Sequence, residues 1–237
     1  SSSELVPRTD WGTNYYGARI EGTLSKYYYN TGTGGWEATS RDGTKYYYGS
    51  TSASRQDFDS GTKIFKWCLD KVQDTNGNYM TVSYTKDQGE IYLDRIDYTG
   101  NTITPLGTTH YVKFHLEPRT DVPIMFTPNY QAKTAKRLKT IEVRSQGAMV
   151  RAYSLTYGAS ARTARSLLST VQQFGNDAIL DGEGTITGGT ALPETAVTYS
   201  GEDSGTFSAP VVTATPDFSR YTKTIADVNG DGKADLV

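Results

Sequence analysis

Cysteine, histidine and methionine are all scarce in this chain of 237 residues, which carries one Cys, two His and three Met. Each scarcity excludes a class of chemistry. Cys68, standing alone, can form no disulfide within the chain and cannot build a thiolate metal site. It lies in Ile64-Phe-Lys-Trp-Cys-Leu-Asp70, on the face opposite Phe65, Trp67 and Leu69, and reads as a buried or half-buried structural thiol. His110 and His115 are five residues apart, so in one strand they face opposite sides of a sheet. That spacing argues against a shared metal site or a proton relay. No run of about eighteen apolar residues occurs, so no segment reads as a membrane-spanning helix. Net charge is only −2, too little to draw the whole chain to nucleic acid or an anionic membrane. The local basic stretch of Lys133, Lys136, Arg137, Lys139, Arg144 and Arg151 is interleaved with strand residues and reads as a solvated sheet face. The first residues, Ser1-Ser-Ser-Glu-Leu-Val-Pro7, lack the basic-then-apolar order of a signal peptide, and an export signal could lie upstream of them. No Gly-x-Ser-x-Gly elbow, phosphate loop, His-Glu-x-x-His or Cys-x-x-Cys is present.

What the chain does have is tyrosine and glycine, 18 and 24 of them. Tyr and Thr favour strands, while Gly and Asn punctuate turns. Met80, Val82 and Tyr84 alternate with Thr81 and Ser83, and Val112, Phe114 and Leu116 alternate with Tyr111, Lys113 and His115. Met149, Arg151, Tyr153, Leu155 and Tyr157 share one face of a further run. Such period-two patterns predict antiparallel strands with one face wetter than the other. Asn76-Gly77 and Asp42-Gly43 are the strongest hairpin signals. Lys26-Tyr-Tyr-Tyr29 recurs as Lys45-Tyr-Tyr-Tyr48, consistent with two strands of one sheet. Ala159 to Gln173 could pass for a helix through Leu167, Leu168 and Val171, although strand fits it better. The expected class is all-β, an antiparallel β-sandwich-like domain.

The last eleven residues, Asp227-Val-Asn-Gly-Asp-Gly-Lys-Ala-Asp-Leu-Val237, place oxygen-bearing side chains at Asp227, Asn229, Asp231 and Asp235 around Gly230 and Gly232. A Ca²⁺ ion takes six to eight oxygens at about 2.3–2.6 Å from a tightly curled loop, and the glycines permit the curl. These four residues are the expected metal ligands, with an acidic hairpin turn that binds no metal as the alternative. The EF-hand form needs a bidentate Glu at loop position twelve, whereas the chain ends at position eleven. Tyr221 to Ala226 before the loop reads as a strand. The expected layout is a Gly/Tyr-rich segment 1–35, a β-sandwich-like domain 36–200, a linker 201–216 and the start of a calcium-binding repeat at 217–237, as in a domain cut from a longer protein.

The order of segments carries a resemblance. Trp36-Glu-Ala-Thr-Ser-Arg-Asp-Gly-Thr-Lys-Tyr-Tyr-Tyr-Gly49 is followed by Ser54-Arg55, Trp67-Cys-Leu-Asp70 and Asp74-Thr-Asn-Gly-Asn78. Tyr92-Leu-Asp-Arg-Ile-Asp-Tyr-Thr-Gly-Asn101, Glu117-Pro-Arg-Thr-Asp121 and Val150-Arg-Ala-Tyr-Ser-Leu-Thr-Tyr157 come next. This succession, over about Trp36 to Val237, resembles the amino-terminal region shared by the virulence-plasmid B protein family and the B component of insecticidal toxin complexes. The closing Asp-x-Asn-x-Asp-Gly-x-x-Asp loop is similar to that of FG-GAP repeats, the calcium-binding blades of integrin-like β-propellers. The resemblance implies a module of a large secreted or surface-exposed bacterial protein of the toxin or Rhs kind, whose partners are other domains or subunits of a toxin-like assembly. In toxin complexes the B component helps form a shell around a toxic effector. The ADP-ribosyltransferase activity of some members belongs to a different, carboxy-terminal domain that nothing here matches. The Gly- and Tyr-rich stretch from Trp11 to Thr33 departs from the family pattern.

Two functional expectations follow. The carboxylates beside arginines, Glu117 and Asp121 around Arg119, and Asp94 and Asp97 around Arg95, read as turn and cross-strand pairs, so the chain is expected not to be an enzyme. The rival is carbohydrate binding, in which Trp11, Tyr15, Tyr16 and Trp36 would stack on sugar faces. A glycan platform predicts these rings exposed together on one face, and a scaffold predicts them scattered or packed.

Overall fold

The computed structural model describes residues 4–58 and 61–200, with the backbone of two further short strands near the end of the chain. The chain divides into two units, Ser1–Ser200 and Gly201–Val237. Strands of the first unit are β1 (Leu5–Pro7), β2 (Tyr15–Ala18), β3 (Lys26–Asn30), β4 (Gly35–Thr39), β5 (Lys45–Tyr48), β6 (Arg55–Phe58), β7 (Lys63–Trp67) and β8 (Leu69–Gln73). They continue as β9 (Asn78–Asp87), β10 (Glu90–Asn101), β11 (His110–Pro118), β12 (Ile124–Met125), β13 (Ala132–Lys133), β14 (Lys136–Ser145) and β15 (Ala148–Ala159). The last are β16 (Ser166–Phe174), β17 (Ile179–Leu180), β18 (Ile186–Gly188) and β19 (Thr195–Ala196). In the second unit β20 (Ile225–Ala226) pairs antiparallel with β21 (Asp235–Leu236).

The fold is all-β and antiparallel, as the alternation predicts. Thirteen strands form one sheet in the order β1-β2-β3-β4-β5-β8-β9-β10-β11-β14-β15-β16-β19, with no closed barrel or propeller among the described residues. Strand order follows chain order. The interruptions are small two-stranded sheets, β6–β7, β12–β13 and β17–β18, inserted between consecutive strands of the large one. The two Lys-Tyr-Tyr-Tyr copies lie on β3 and β5, with β4 between them. The stretch from Ala159 that admitted a helix is strand β16 from Ser166 onward. The Gly/Tyr-rich segment joins the same sheet through β1 to β3.

Turn chemistry explains the register. Gly43 and Gly77 adopt φ +86° and +77° in the β4–β5 and β8–β9 turns, the left-handed region that glycine enters without strain. In the second of these turns Asp74 Oδ1 accepts the N–H groups of Asn76 (2.9 Å) and Asn78 (2.8 Å), and its Oδ2 accepts from Asn78 Nδ2 (2.8 Å). Asp74, Asn76 and Asn78 alternate oxygen-bearing side chains as half a cation loop would, but here they form a turn whose carboxylate is already used.

The two faces of the sheet differ. One row of register partners runs Tyr15, Tyr28, Glu37, Tyr47, Lys71, Thr81, Asp97, Tyr111 and Arg144 from β2 to β14. The opposite face carries Val82, Ile96, Val112 and Val143, flanked by Phe114, Ile141 and Tyr153. Because the body is one sheet, few side chains are fully enclosed. Among the described residues the buried apolar ones are Ala38, Val82, Tyr92, Ala132, Ala152 and Ala178, and the buried polar ones are Ser54, Gln56, Asp70, Thr140, Glu142 and Ser160. Burying a polar group is tolerable only when it is hydrogen-bonded, so the polar contacts below are structural necessities as well as candidate chemistry.

Candidate functional site: a charged ladder and two aromatic clusters

On the polar face, β11 presents Tyr111, Lys113, His115 and Glu117 toward the same side, the direct result of period-two alternation. Their cross-strand partners complete an ionic ladder. His115 Nε2 lies 2.7 Å from Glu142 Oε2, and Arg144 Nε pairs with Glu142 Oε1. Tyr111 donates to the same Oε1 at 3.5 Å. The Glu142 side chain is only 9% exposed. Burial pushes its carboxyl upward, but the hydrogen bonds from His115 and Arg144 outweigh burial and hold it below its ordinary value. Lys113 Nζ reaches Asp94 at 2.6 Å, Arg95 pairs with Asp97, and the Arg95 guanidinium lies 3.8 Å from the Tyr111 ring centre. Facing an ionised carboxylate, His115 Nε2 carries the proton and donates it. The other side of the imidazole meets Gly184, at φ +76°, where any Cβ would overlap the ring. The imidazole is thus packed between a carboxylate and a backbone turn.

A second cluster joins two loops. Asp121 accepts from Arg119 Nε (2.9 Å) and Nη2 (2.6 Å), and from Ser166 N–H and Oγ (both 2.6 Å). The Arg119 guanidinium foremost, then the Ser166 hydroxyl and amide, holds this carboxyl far below the usual range. Arg137 donates to Ser166 Oγ (2.7 Å) and to Glu117 (2.6 Å), with its guanidinium 4.4 Å from the Tyr157 ring centre. Of the two acids expected around Arg119, Asp121 pairs with it, whereas Glu117 pairs across the strand with Arg137. Their function is to clasp the loop after β11 to the start of β16.

The four rings suggested for sugar stacking fall into two groups. Trp11 and Tyr15 share one face with Lys26, whose ammonium lies 5.7 Å and 4.2 Å from their ring centres, and Arg8 lies 4.1 Å from that of Trp11. Tyr16, next to Tyr15, projects oppositely and meets Trp36 edge-on at 5.2 Å. Trp36 also contacts Tyr29 at 5.0 Å and Trp67 at 6.4 Å, while Trp67 Nε1 donates to the Gly34 carbonyl at 2.9 Å. The structure brings Tyr16 to Trp36 and Trp11 to Tyr15 but does not gather all four on one platform.

Asp227, Asn229 and Asp231 lie outside the described residues, and Asp235 is described only as backbone of β21. Among the described residues no group of three or more His, Cys, Asp or Glu is placed to hold a metal ion. Cys68 is half-buried between β7 and β8, its thiol pushed up by burial first of all, as expected of a structural cysteine. Glu142 is the site residue that the sequence did not single out, and Arg144, expected on a solvated sheet face, is its partner. The alternation Tyr111-x-Lys113-x-His115-x-Glu117 marked the wet face, but only the β11–β14 register shows which residues lie opposite.

Comparison with known proteins gives a consistent fold. The family described as Salmonella virulence plasmid 65kDa B protein, SpvB, matches residues 2–113. The match therefore includes the Gly- and Tyr-rich stretch that departs from the expected pattern, and it ends on β11. No curated protein sequence matches. Among solved structures, the N-terminal domain of effector protein SpvB from Salmonella typhimurium strain LT2 is similar at TM-score 0.58 and 13% identity, covering 68% of each chain. The TcdB2-TccC3-Cdc42 crystal structure matches at TM-score 0.62 and 17% identity, over 78% of this chain and 11% of that one. The Photorhabdus luminescens Tc holotoxin pore structure gives TM-score 0.60 and 17% identity with the same coverages. At these identities the likeness is one of fold, shared over 68% of the chain with the effector's N-terminal domain and over 78% of it with a part, 11%, of the chains in the two other structures.

Proposed function

We propose that this chain is a non-catalytic structural and interaction module of a secreted or surface-exposed bacterial toxin-type protein, with other domains or subunits of such an assembly as its partners. The observation that carries this reading is the coincidence of the SpvB family match over residues 2–113 with a shared fold over most of the chain. The charge geometry supports it. Glu142, Asp121, Asp94 and Asp97 are each tied to a cation of the sheet or its loops. A general base or nucleophile needs a free approach to substrate, and these carboxylates are spent on holding strands and loops together. No helix among the described residues is long and apolar enough to cross a membrane.

The reading includes a structural calcium loop at Asp227, Asn229, Asp231 and Asp235, the first of an FG-GAP type. Its support is the antiparallel pairing of Ile225 with Leu236 and of Ala226 with Asp235, on either side of Asp227, Asn229 and Asp231 in sequence. A cation there would neutralise the acidic side chains and hold β20 and β21 together.

A glycan array probed with the chain, in calcium and in chelator, tests the assignment against its carbohydrate-binding rival. The module reading expects no saturable glycan binding in either condition. Specific binding lost on mutation of Trp36 or Trp11 would replace it with a carbohydrate-recognition function.

A further inference from the structure

Between β8 and β9 the large sheet opens. Their ladder runs only from Gln73↔Tyr79 to Lys71↔Thr81, whereas β9 continues to Asp87. Beyond Thr81, residues Val82, Ser83 and Tyr84 keep β10 on one side, against Ile96, Arg95 and Leu93. On the other side they have no strand partner among the described residues. The one-turn 3-10 helix Ser52–Ser54 stands beside this gap. It is anchored by Asp70, whose carboxylate accepts from Ser50 N–H (2.5 Å), Ser50 Oγ (3.1 Å) and Ser54 Oγ (2.7 Å). Tyr84 spans the opening by donating to the Leu69 carbonyl at 2.7 Å. Burial above all, then Cys68 and Asp70 nearby, pushes its phenol up to about 12, so it stays a donor.

What remains is a cleft of about 340 Å³ with Tyr47, Ala53, Val82 and Tyr84 among its walls and a mostly apolar lining. Lys71 lines it too, its ammonium 5.4 Å from the Tyr47 ring centre and 5.0 Å from that of Tyr79. Lys45, Lys86 and Lys113 each hold a carboxylate, whereas among the described residues Lys71 meets only rings. Asp70 lines the cleft as well, but its carboxylate is engaged by Ser50 and Ser54, so the charge left facing a ligand is the Lys71 ammonium, which is complementary to an apolar group bearing an anion. The unpaired edge of β9 adds main-chain donors and acceptors, which an extended polypeptide satisfies and a simple acid does not.

We propose that this cleft seats an apolar side chain of a partner polypeptide, with a carboxylate beside that side chain resting on Lys71 and its backbone running along β9 at Val82–Tyr84. The cleft is a specific form of the interaction module proposed above and rests on that reading. The module is tested by glycan and calcium binding and the cleft by peptide titration, so either can fail alone.

The probe is acetyl-Ala-Ala-Phe, as free acid and as C-terminal amide, titrated into the ¹⁵N-labelled chain and followed by amide chemical shifts. The expected result is saturable shifts at Val82, Ser83, Tyr84 and Ala53, with the amide bound about threefold more weakly, the scale of one exposed ion pair. Lys71→Gln should abolish the preference for the acid, and Ala53→Leu, which fills the cleft from an exposed turn, should weaken both peptides. Well-dispersed spectra of both variants show that the fold is kept. No saturable shift at these residues would overturn the proposal, as would an acid preference that survives Lys71→Gln. Binding of 3-phenylpropionate as tight as the peptide would overturn the polypeptide assignment in favour of a free acid.

Discussion

Tyr79 covers Gly100 across the β9–β10 ladder: the two are register partners, and a Cβ on Gly100 would overlap the Tyr79 ring. The contact sits at a bulge, between Asp97 and Gly100, where Thr99 adopts φ +72°. An aromatic ring laid over a strand glycine restores the packing that the missing side chain leaves out.

Gly100→Ala should therefore destabilise the fold by about 1–3 kcal/mol, the scale of forced overpacking. Thermal or denaturant unfolding measures it. Adding Tyr79→Ala should recover some of the loss, because the overlap disappears with the ring. Strictly additive effects would show that the two residues do not interact.

Gly184 makes a comparable contact with His115, with the added constraint of its positive φ. Gly184→Ala is expected to loosen the β17–β18 turn, which Lys139 also holds through the Glu183 carbonyl (2.8 Å) and Thr185 hydroxyl (3.0 Å). Hydrogen exchange should speed up in residues 179–188 and remain slow in β14 and β15. His115→Ala in the same chain should relieve the overlap but leave the backbone strain.

Asp121 makes a pH-dependent contribution with a definite sign. Its carboxyl is depressed in the folded state by Arg119 first and Ser166 next. Its stabilisation is therefore complete above the unfolded carboxyl value, about 3.9, and is lost as pH falls from there toward the folded value. Asp121→Asn should lower the melting temperature at neutral pH, and the gap from wild type should narrow below about pH 4. A gap that stays constant from pH 7 to pH 2.5 would rule out the linkage.

Glu142→Gln leaves Arg144 and His115 facing a neutral amide in a mostly buried position. A loss of about 1–3 kcal/mol is expected, as for a buried polar group deprived of its partner. Urea unfolding checks it, and Arg144→Met should be non-additive with it, since both act on one pair.

For the terminal loop, Asp231→Ala should reduce calcium affinity by about tenfold or more, at least what is lost with an outer-shell partner. Residues 36–200 should stay folded. Calorimetry reads the first effect and circular dichroism the second. Loss of the whole fold would mean that the loop is integral to the domain.

Class, strand alternation and hairpin turns were legible because they are written locally. Asn76-Gly77 and Asp42-Gly43 each need positive φ at the glycine, and Val112 to Leu116 needs only a period of two. The fate of the acid–arginine pairs was legible in kind: Arg119 and Asp121 do orient a loop, and Asp94 does pair across strands to Lys113. What local signals do not carry is distance along the chain. That Glu142 meets His115, that Ser166 completes Asp121, and that β9 leaves β8 after Thr81 depend on registers set by whole strands. The aromatic residues show the same limit. Tyr15 and Tyr16 are adjacent in sequence and on opposite faces in space, so a list of nearby rings overstates any platform.

Strand order that copies chain order has a mechanical consequence. β1 and β19 lie on opposite edges of the sheet, so tension on the two ends of this unit reaches the edge strands first. Neighbouring strands can separate by breaking their hydrogen bonds in succession, as a zipper opens, without shearing a whole ladder at once. The clasp of Asp121 and Arg137 on Ser166 spans non-adjacent strands and is the point at which such an opening from the β19 edge would meet resistance.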